Sequence, residues 1–236
     1  MNITAKEISK RLQEMGDKED AEFLQRFFKT GAGQYGEGDI FLGIRVPKVR
    51  KLAQEYQKLL PEKALPLLRS RYHEERLFAL ILLVNAFAKG DETTQKKIYD
   101  LYLTNTAYIN NWDLVDISAP RIVGAYLLTK NRKPLYQLAK SKSLWERRIA
   151  VLATFYFIQS NQFADTLKIA GMLLQDKEDL IHKAVGWMLR ETGKRDIEHL
   201  EWFLKEHCRI MPRTMLRYAI EKFTPSRRKI FLDGTV

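Results

Sequence analysis

The segments ERLFALILLV (75–84), NWDLVDISAP (111–120), RRIAVLATFY (147–156) and HKAVGWMLRE (182–191) superimpose when Arg76, Trp112, Arg148 and Lys183 are set equivalent. The spacings are 36, 36 and 35 residues, so the chain carries an internal repeat. Each unit reads as one apolar helix, a short polar or glycine-containing turn, and a second amphipathic helix, as in Ser143 to Ser160 followed by Gln162 to Gln175. A hairpin of this size cannot bury its apolar face alone, and stacking neighbours builds a shared core. The expected fold is therefore all-α: a right-handed superhelix of HEAT-like repeats with a concave basic groove, forming a single domain over residues 1–236.

The rest of the chain agrees with that period. Apolar residues recur three and four apart, as at Leu24, Phe27 and Phe28, and alternating strand patterns are scarce. Thr4 and Glu7 fit a capping box, and Pro47, Pro61, Pro134 and Pro212 sit where first helical turns should begin. The apolar run Leu77–Ala88 is too short to span a bilayer and is bounded by Arg76 and Lys89, which predicts a buried helix. The start, MNITAKEISKRLQEMG, lacks a signal-peptide core. A cytoplasmic monomer with no membrane contact is expected. The single cysteine, Cys208, excludes an internal disulfide and reads as a buried thiol.

A formal net charge of +11 favours an anionic partner, nucleic acid first. The repeat register also has a chemical consequence. One turn beyond the aligned cations and Trp112 come Leu80, Asp116, Leu152 and Trp187, on the same helix faces. Two tryptophans and a carboxylate are thus expected among cations on one ridge. Asp113, near Asn110 and Asn111, reads as a helix-start residue that caps or complements the dipole. Asp116 lies one turn further in, between Val115 and Ile117, and needs a partner, solvent or a task. Trp145 and Trp202 read as core. Arg148 and Arg190 could be solvated charges or phosphate contacts, as could the clusters RVPKVRK (45–51) and SRRK (226–229).

Other chemistries lack support in the sequence. The four histidines show no ligand spacing for zinc. The loop GAGQYGEGDIFLG lacks the lysine and hydroxyl of a phosphate loop and does not follow a strand. Its glycines read as an irregular connection. No cofactor or metal is expected.

The stretches FFKTGAGQYGEGDIFLGIRVPKVRKLA, YINNWDLVDISA, LWERRIAVLATFYFI, HKAVGWMLRETGKRD and MPRTMLRYAIEKF, in this order, resemble the AlkD group of DNA alkylation-repair glycosylases. That resemblance implies excision of cationic N3- or N7-alkylated purines, such as 3-methyladenine and 7-methylguanine, from double-stranded DNA without extruding the base. It further implies Asp116 as the catalytic carboxylate, Trp112 and Trp187 as aromatic walls, and Arg148 as a grip on phosphate. Arg190, Arg50, Arg45 and Lys183 would add DNA contacts, and Tyr35 would lie near an aromatic of the first loop. FLGIRVP departs from the family pattern, which has Gln and Thr where this chain has Arg45 and Val46. The rival expectations are a non-catalytic relative that binds damaged or branched DNA, and a solenoid adaptor for an acidic protein segment.

Overall fold

The computed structural model describes residues 4–235, and among them the regular structure is helical, the rest being turns, loops and one isolated bridge between Ile40 and Tyr72. It divides into two compact units, Met1–Ser118 and Ala119–Val236.

Unit 1 begins with α1 (Ala5–Glu14), α2 (Lys18–Phe27), α3 (Val46–Glu55) and α4 (Pro61–Leu68). Thr4 and Glu7 close the expected capping box on α1. Between α2 and α3 runs the glycine-rich connection, in which Gly33, Gly38 and Gly43 all take positive φ. Gly43 has a second reason to be glycine, because a Cβ there would collide with the carbonyl oxygen of Asp17. The long α5 (His73–Lys89) is apolar nearly all round and buried, as such a helix must be. It pairs with α6 (Glu92–Thr104), and α7 (Trp112–Ala119) opens the next hairpin.

Unit 2 begins where α7 ends, with a π-helical turn, Pro120–Gly124, and then α8 (Ala125–Leu127). Pro120 has no N–H to donate back along the helix, which accounts for the wider turn at this point. Next comes α9 (Lys133–Ala139), which packs on α10 (Leu144–Gln159); α10 pairs with α11 (Ala164–Met172), and α12 (Asp179–Arg195) with α13 (Ile197–His207). The α10 helix is capped by Ser143 and ends at Ser160, the limits set by the repeat. Finally α14 (Arg213–Ala219) packs on α12, and α15 (Pro225–Asp233) closes the chain. Gly186 permits that approach: a Cβ there would meet the Met215 carbonyl oxygen and the Tyr218 Cβ at 2.5 Å.

Three expectations need correction. The ungapped register places Trp112 at the first position of α7, whereas Arg76, Arg148 and Lys183 each lie a turn inside their helices. Pro212 caps α14 from outside rather than starting its first turn. Trp202 is not core, being 59% exposed beside a cavity of about 720 Å³ between α11 and α13. Cys208 is buried, as read.

Candidate functional site in unit 1

The site is organised by the first turn of α5, whose sequence His73-Glu74-Glu75 is buried. Acidic residues suit a helix N-terminus, where the backbone carries partial positive charge. Here they also hold neighbouring segments. Glu74 accepts from the backbone N–H groups of Leu42 (2.8 Å), Gly43 (2.8 Å) and Ile44 (3.0 Å), fixing the glycine-rich connection. Glu75 accepts from the Ser9 hydroxyl at 2.6 Å, fixing α1.

His73 lies between two carboxylates. Its Nδ1 is 3.1 Å from Asp39 Oδ2 and its Nε2 is 2.9 Å from Asp113 Oδ2. Asp39 also accepts from the Arg76 guanidinium and from Asn111 Nδ2 at 3.0 Å. Two cations and two carboxylates therefore neutralise one another out of solvent, the condition under which buried charge is tolerated. Burial opposes the charged imidazole, but attraction to Asp113 and hydrogen bonds to both carboxylates outweigh it and raise the His73 pKa to about 9. Burial would likewise raise Asp39, yet the His73 hydrogen bond and the Arg76 charge hold it below the ordinary carboxylate range.

These groups place the start of α7. Asn111 Oδ1 accepts from the Trp112 N–H at 2.9 Å, while Asp113 Oδ1 accepts from the Leu114 N–H at 2.9 Å. Asp113 is thus not a simple helix-start residue: its other oxygen is the partner of a buried histidine. The ring of Trp112 stacks on Phe28, with centroids 5.2 Å apart and planes at 16°. Phe28 stacks in turn on Phe41, and Phe41 on His73. Phe27, at the end of α2, meets Trp112 edge-on at 6.2 Å. Together these side chains wall a cavity of about 440 Å³ that also takes in Asp113, Arg45 and Arg50.

The site residues expected in unit 1 are distributed as follows. Trp112, Arg45 and Arg50 share the cavity. Arg45 pairs with Asp20 and covers the Phe23 ring, 5.0 Å from its centroid. Arg50 is exposed, with no hydrogen bond or ion pair to any described residue. Tyr35 is half-buried, its hydroxyl 3.5 Å from the Phe27 carbonyl oxygen. Asp116 is half-buried one turn after Trp112 and is not a wall of the cavity. Burial raises the Tyr102 phenol, and the charge of Asp116 adds to that rise. Arg76, expected on the ridge with the other cations, is instead buried against Asp39 because its guanidinium balances that carboxylate.

In unit 2, Arg148 is 5% exposed and its Nη1 donates to the Leu180 carbonyl oxygen at 2.7 Å, tying α10 to the start of α12. Lys183 pairs with Asp179 at 2.6 Å. Trp187 is half-buried, donates to Glu191 Oε1 at 3.2 Å and lies 6.2 Å from the Phe155 ring. Arg190 is paired with Glu221 and lies 3.6 Å from Glu191. Among the described residues no group of three His, Cys, Asp or Glu side chains is disposed to hold a metal ion, and no helix is long and apolar enough to cross a membrane.

The sequence reading missed Asp39, His73 and Glu74. The available signal was local: three titratable residues opening a helix whose next turns are wholly apolar, preceded by an acid inside a glycine-rich connection.

The charged His73 has a measurable consequence. A histidine with a raised folded-state pKa contributes stability that is fully present below its unfolded value, near 6.5, and is lost as pH rises through about 9. Denaturant unfolding followed across pH 6 to 10 is expected to lose roughly 3 kcal/mol over that window. His73→Asn is expected to show a much shallower fall. A wild-type curve as flat as the variant's would mean that the imidazole is neutral.

Paired helices packed in series, with an aromatic and carboxylate site at the start of one of them and a strongly basic composition, define a helical-repeat protein suited to a polyanion. The chain belongs to the DNA alkylation repair enzyme family, whose model matches residues 8–223. It superposes on the structure described as a predicted DNA alkylation repair enzyme from Enterococcus faecalis with a TM-score of 0.69 at 17% identity, over 89% of this chain and 98% of that one. AlkD2 from Streptococcus mutans superposes with a TM-score of 0.51 at 18% identity, over 94% of this chain and 100% of that one. The smu.31 protein of Streptococcus mutans UA159 gives 0.53 at 17%, over 86% and 98%. At these identities the likeness carries the fold: all-α, of the HEAT-like repeat class. The comparison with curated proteins found no match.

Proposed function

We propose that the protein is a monofunctional DNA glycosylase that hydrolyses the N-glycosidic bond of cationic N3- or N7-alkylated purines in duplex DNA, initiating base excision repair. The observation that carries this reading is the pairing of Trp112 and Asp116 one helical turn apart on α7, in a chain that belongs to a DNA alkylation repair family. An alkylated purine already bears positive charge. When its bond to C1′ breaks, the electron pair goes to the base and neutralises it, so no general acid is needed. The sugar is left electron-deficient, and water adds at C1′ and sheds a proton. A fixed carboxylate stabilises that sugar and orients the water, which is the role proposed for Asp116. Indole faces attract the cationic nucleotide and sugar, the role proposed for Trp112. The base is proposed to leave without being extruded into an enclosed pocket.

The direct test is release of 7-methylguanine and 3-methyladenine from methylated duplex DNA by the full chain. Release supports the reading; binding to the same duplex with no release supports the non-catalytic relative instead.

The arginines differ in their surroundings. Arg50 is exposed and uncommitted, so it is the stronger candidate for phosphate, while buried Arg148 braces two helices. Arg50→Ala is expected to weaken DNA binding and to reduce the slope of log K against log salt by about 0.9, the value for one phosphate. Arg148→Ala is expected to lower stability by about 1.5–3 kcal/mol, through loss of a charged hydrogen bond to a carbonyl. An unchanged salt slope in the Arg50 variant, with the drop appearing in the Arg148 variant, would reverse these assignments.

A further inference from the structure

The face of unit 2 formed by α11 and α13 supplies no residue to the chemistry proposed above. Between these helices lies the cavity of about 720 Å³, an open groove floored by the buried side chains of Leu167 and Phe203. Trp202 rises from the α13 wall and is 59% exposed, and Met172 and Ile197 on the same two helices are exposed as well. A large apolar patch in water marks a surface that something covers.

Gly171 makes room in the opposite wall. The other helical glycines of unit 2 are required by close packing: a Cβ on Gly124, Gly186 or Gly193 would meet a neighbouring atom at 2.2, 2.5 or 2.3 Å. At Gly171 a Cβ would meet nothing within 4 Å. Glycine weakens a helix, and what this one gives in return is space in the groove. One surface therefore carries both a knob, Trp202, and a hole, the groove beside Gly171. Its charges have the same two-sided character. Lys168 and Glu198 line the groove, and Lys205 and Glu206 lie one turn beyond Trp202. All four are exposed and none has an ion pair among the described residues, whereas Asp165, Asp176 and Glu221 of the same unit are each paired with an arginine. A patch of one sign would repel a copy of itself, and a patch with both signs in equal number can complement one. Two-fold dimers need this property, because the same surface appears on both sides of the contact. A small ligand could fill the groove but would leave the four charges unmatched.

We infer that the face of α11 and α13 binds a second copy of this chain in a two-fold dimer, with Trp202 of each copy seated in the other's groove beside Gly171. The dimer replaces the monomer expected from the sequence. It uses no residue of the proposed base-release chemistry, so either can fail alone.

The test is sedimentation of the full chain from micromolar to near-millimolar concentration, with Trp202→Ala and Gly171→Leu alongside. Wild type is expected to pass from one chain mass to two as concentration rises. Trp202→Ala is expected to raise the dimer dissociation constant about 30-fold, the scale of a tryptophan buried at the centre of an interface. Gly171→Leu fills the hole and is expected to abolish the dimer while the melting temperature holds or rises, because its Cβ meets open space and leucine favours a helix. Base release per chain is expected to be the same in all three proteins. A wild type that stays monomeric throughout overturns the inference, as does a dimer that either variant leaves as tight as before. Binding of anilinonaphthalene sulfonate by a monomeric wild type, lost in Gly171→Leu, would overturn it in favour of a small apolar anion.

Discussion

Asp116→Asn is expected to slow release of 7-methylguanine about 10²- to 10³-fold, the cost of removing one preorganised electrostatic contact to a transition state, with DNA affinity nearly unchanged. The substitution keeps the shape and removes the charge. Asp116 is half-buried on α7, while Leu114 and Val115 beside it are wholly buried and hold the helix in place. The Asn side chain therefore occupies the same position on an unaltered scaffold. Affinity is preserved because phosphate contacts dominate it and a carboxylate makes none; removing a negative charge near DNA would strengthen binding slightly. The measurement is single-turnover release beside a binding titration at one salt concentration. A variant that releases base at the wild-type rate would remove Asp116 from the mechanism and turn attention to Asp113, the other acid of α7. Loss of both release and binding, with a lowered melting temperature, would show a structural role instead.

Asp39→Ala is expected to cost about 3–5 kcal/mol of stability, the range for breaking a buried ion pair from one side. Asp39 is the shared acceptor of His73, Arg76 and Asn111. Its removal leaves two cations inside unit 1 with only Asp113 to balance them. His73 can respond by losing its proton, but the guanidinium of Arg76 cannot. Chemical denaturation at pH 7 gives the value directly. A loss below about 1 kcal/mol, the worth of an exposed pair, would mean that water reaches the cluster. The same variant is expected to disturb Trp112, since Asn111 bonds Asp39 on one side and the Trp112 N–H on the other. A shift in tryptophan emission in the folded variant would report that link.

Much of the fold is legible in the chain because helices are specified locally. The capping box at Thr4, the prolines at the starts of α3, α4 and α9, and the Ser143 to Ser160 limits of α10 each depend on residues a few positions apart. The period near 36 residues locates the hairpins. The period does not fix where each helix starts, because a start depends on its own local cap and turn. That is why Trp112 stands at a helix start while its supposed equivalents stand a turn inside.

The site is legible only in part. The repeat register marks Trp112 as the aromatic one turn before Asp116, and the structure sets it against Phe28 and Phe27, which lie some eighty residues away in sequence. In the sequence Arg76 and Arg148 are cations on apolar helices and Arg50 belongs to a basic cluster, 45–51, and nothing local tells which of the three is open to a ligand. Burial separates them: the first two bond an inner carboxylate and a carbonyl, and the third remains available to a ligand. Trp202 is the reverse case, a large apolar ring that reads as core and stands exposed.

By itself the sequence determined the helices, their pairing and the excess of positive charge, because hydrogen bonds within a helix, caps and apolar periodicity act over three or four residues. Only the tertiary structure decided which charges are consumed internally. Asp39, His73, Arg76 and Asp113 come from three separate segments, and whether a charge is available to a ligand depends on what folding brings within about 3 Å of it.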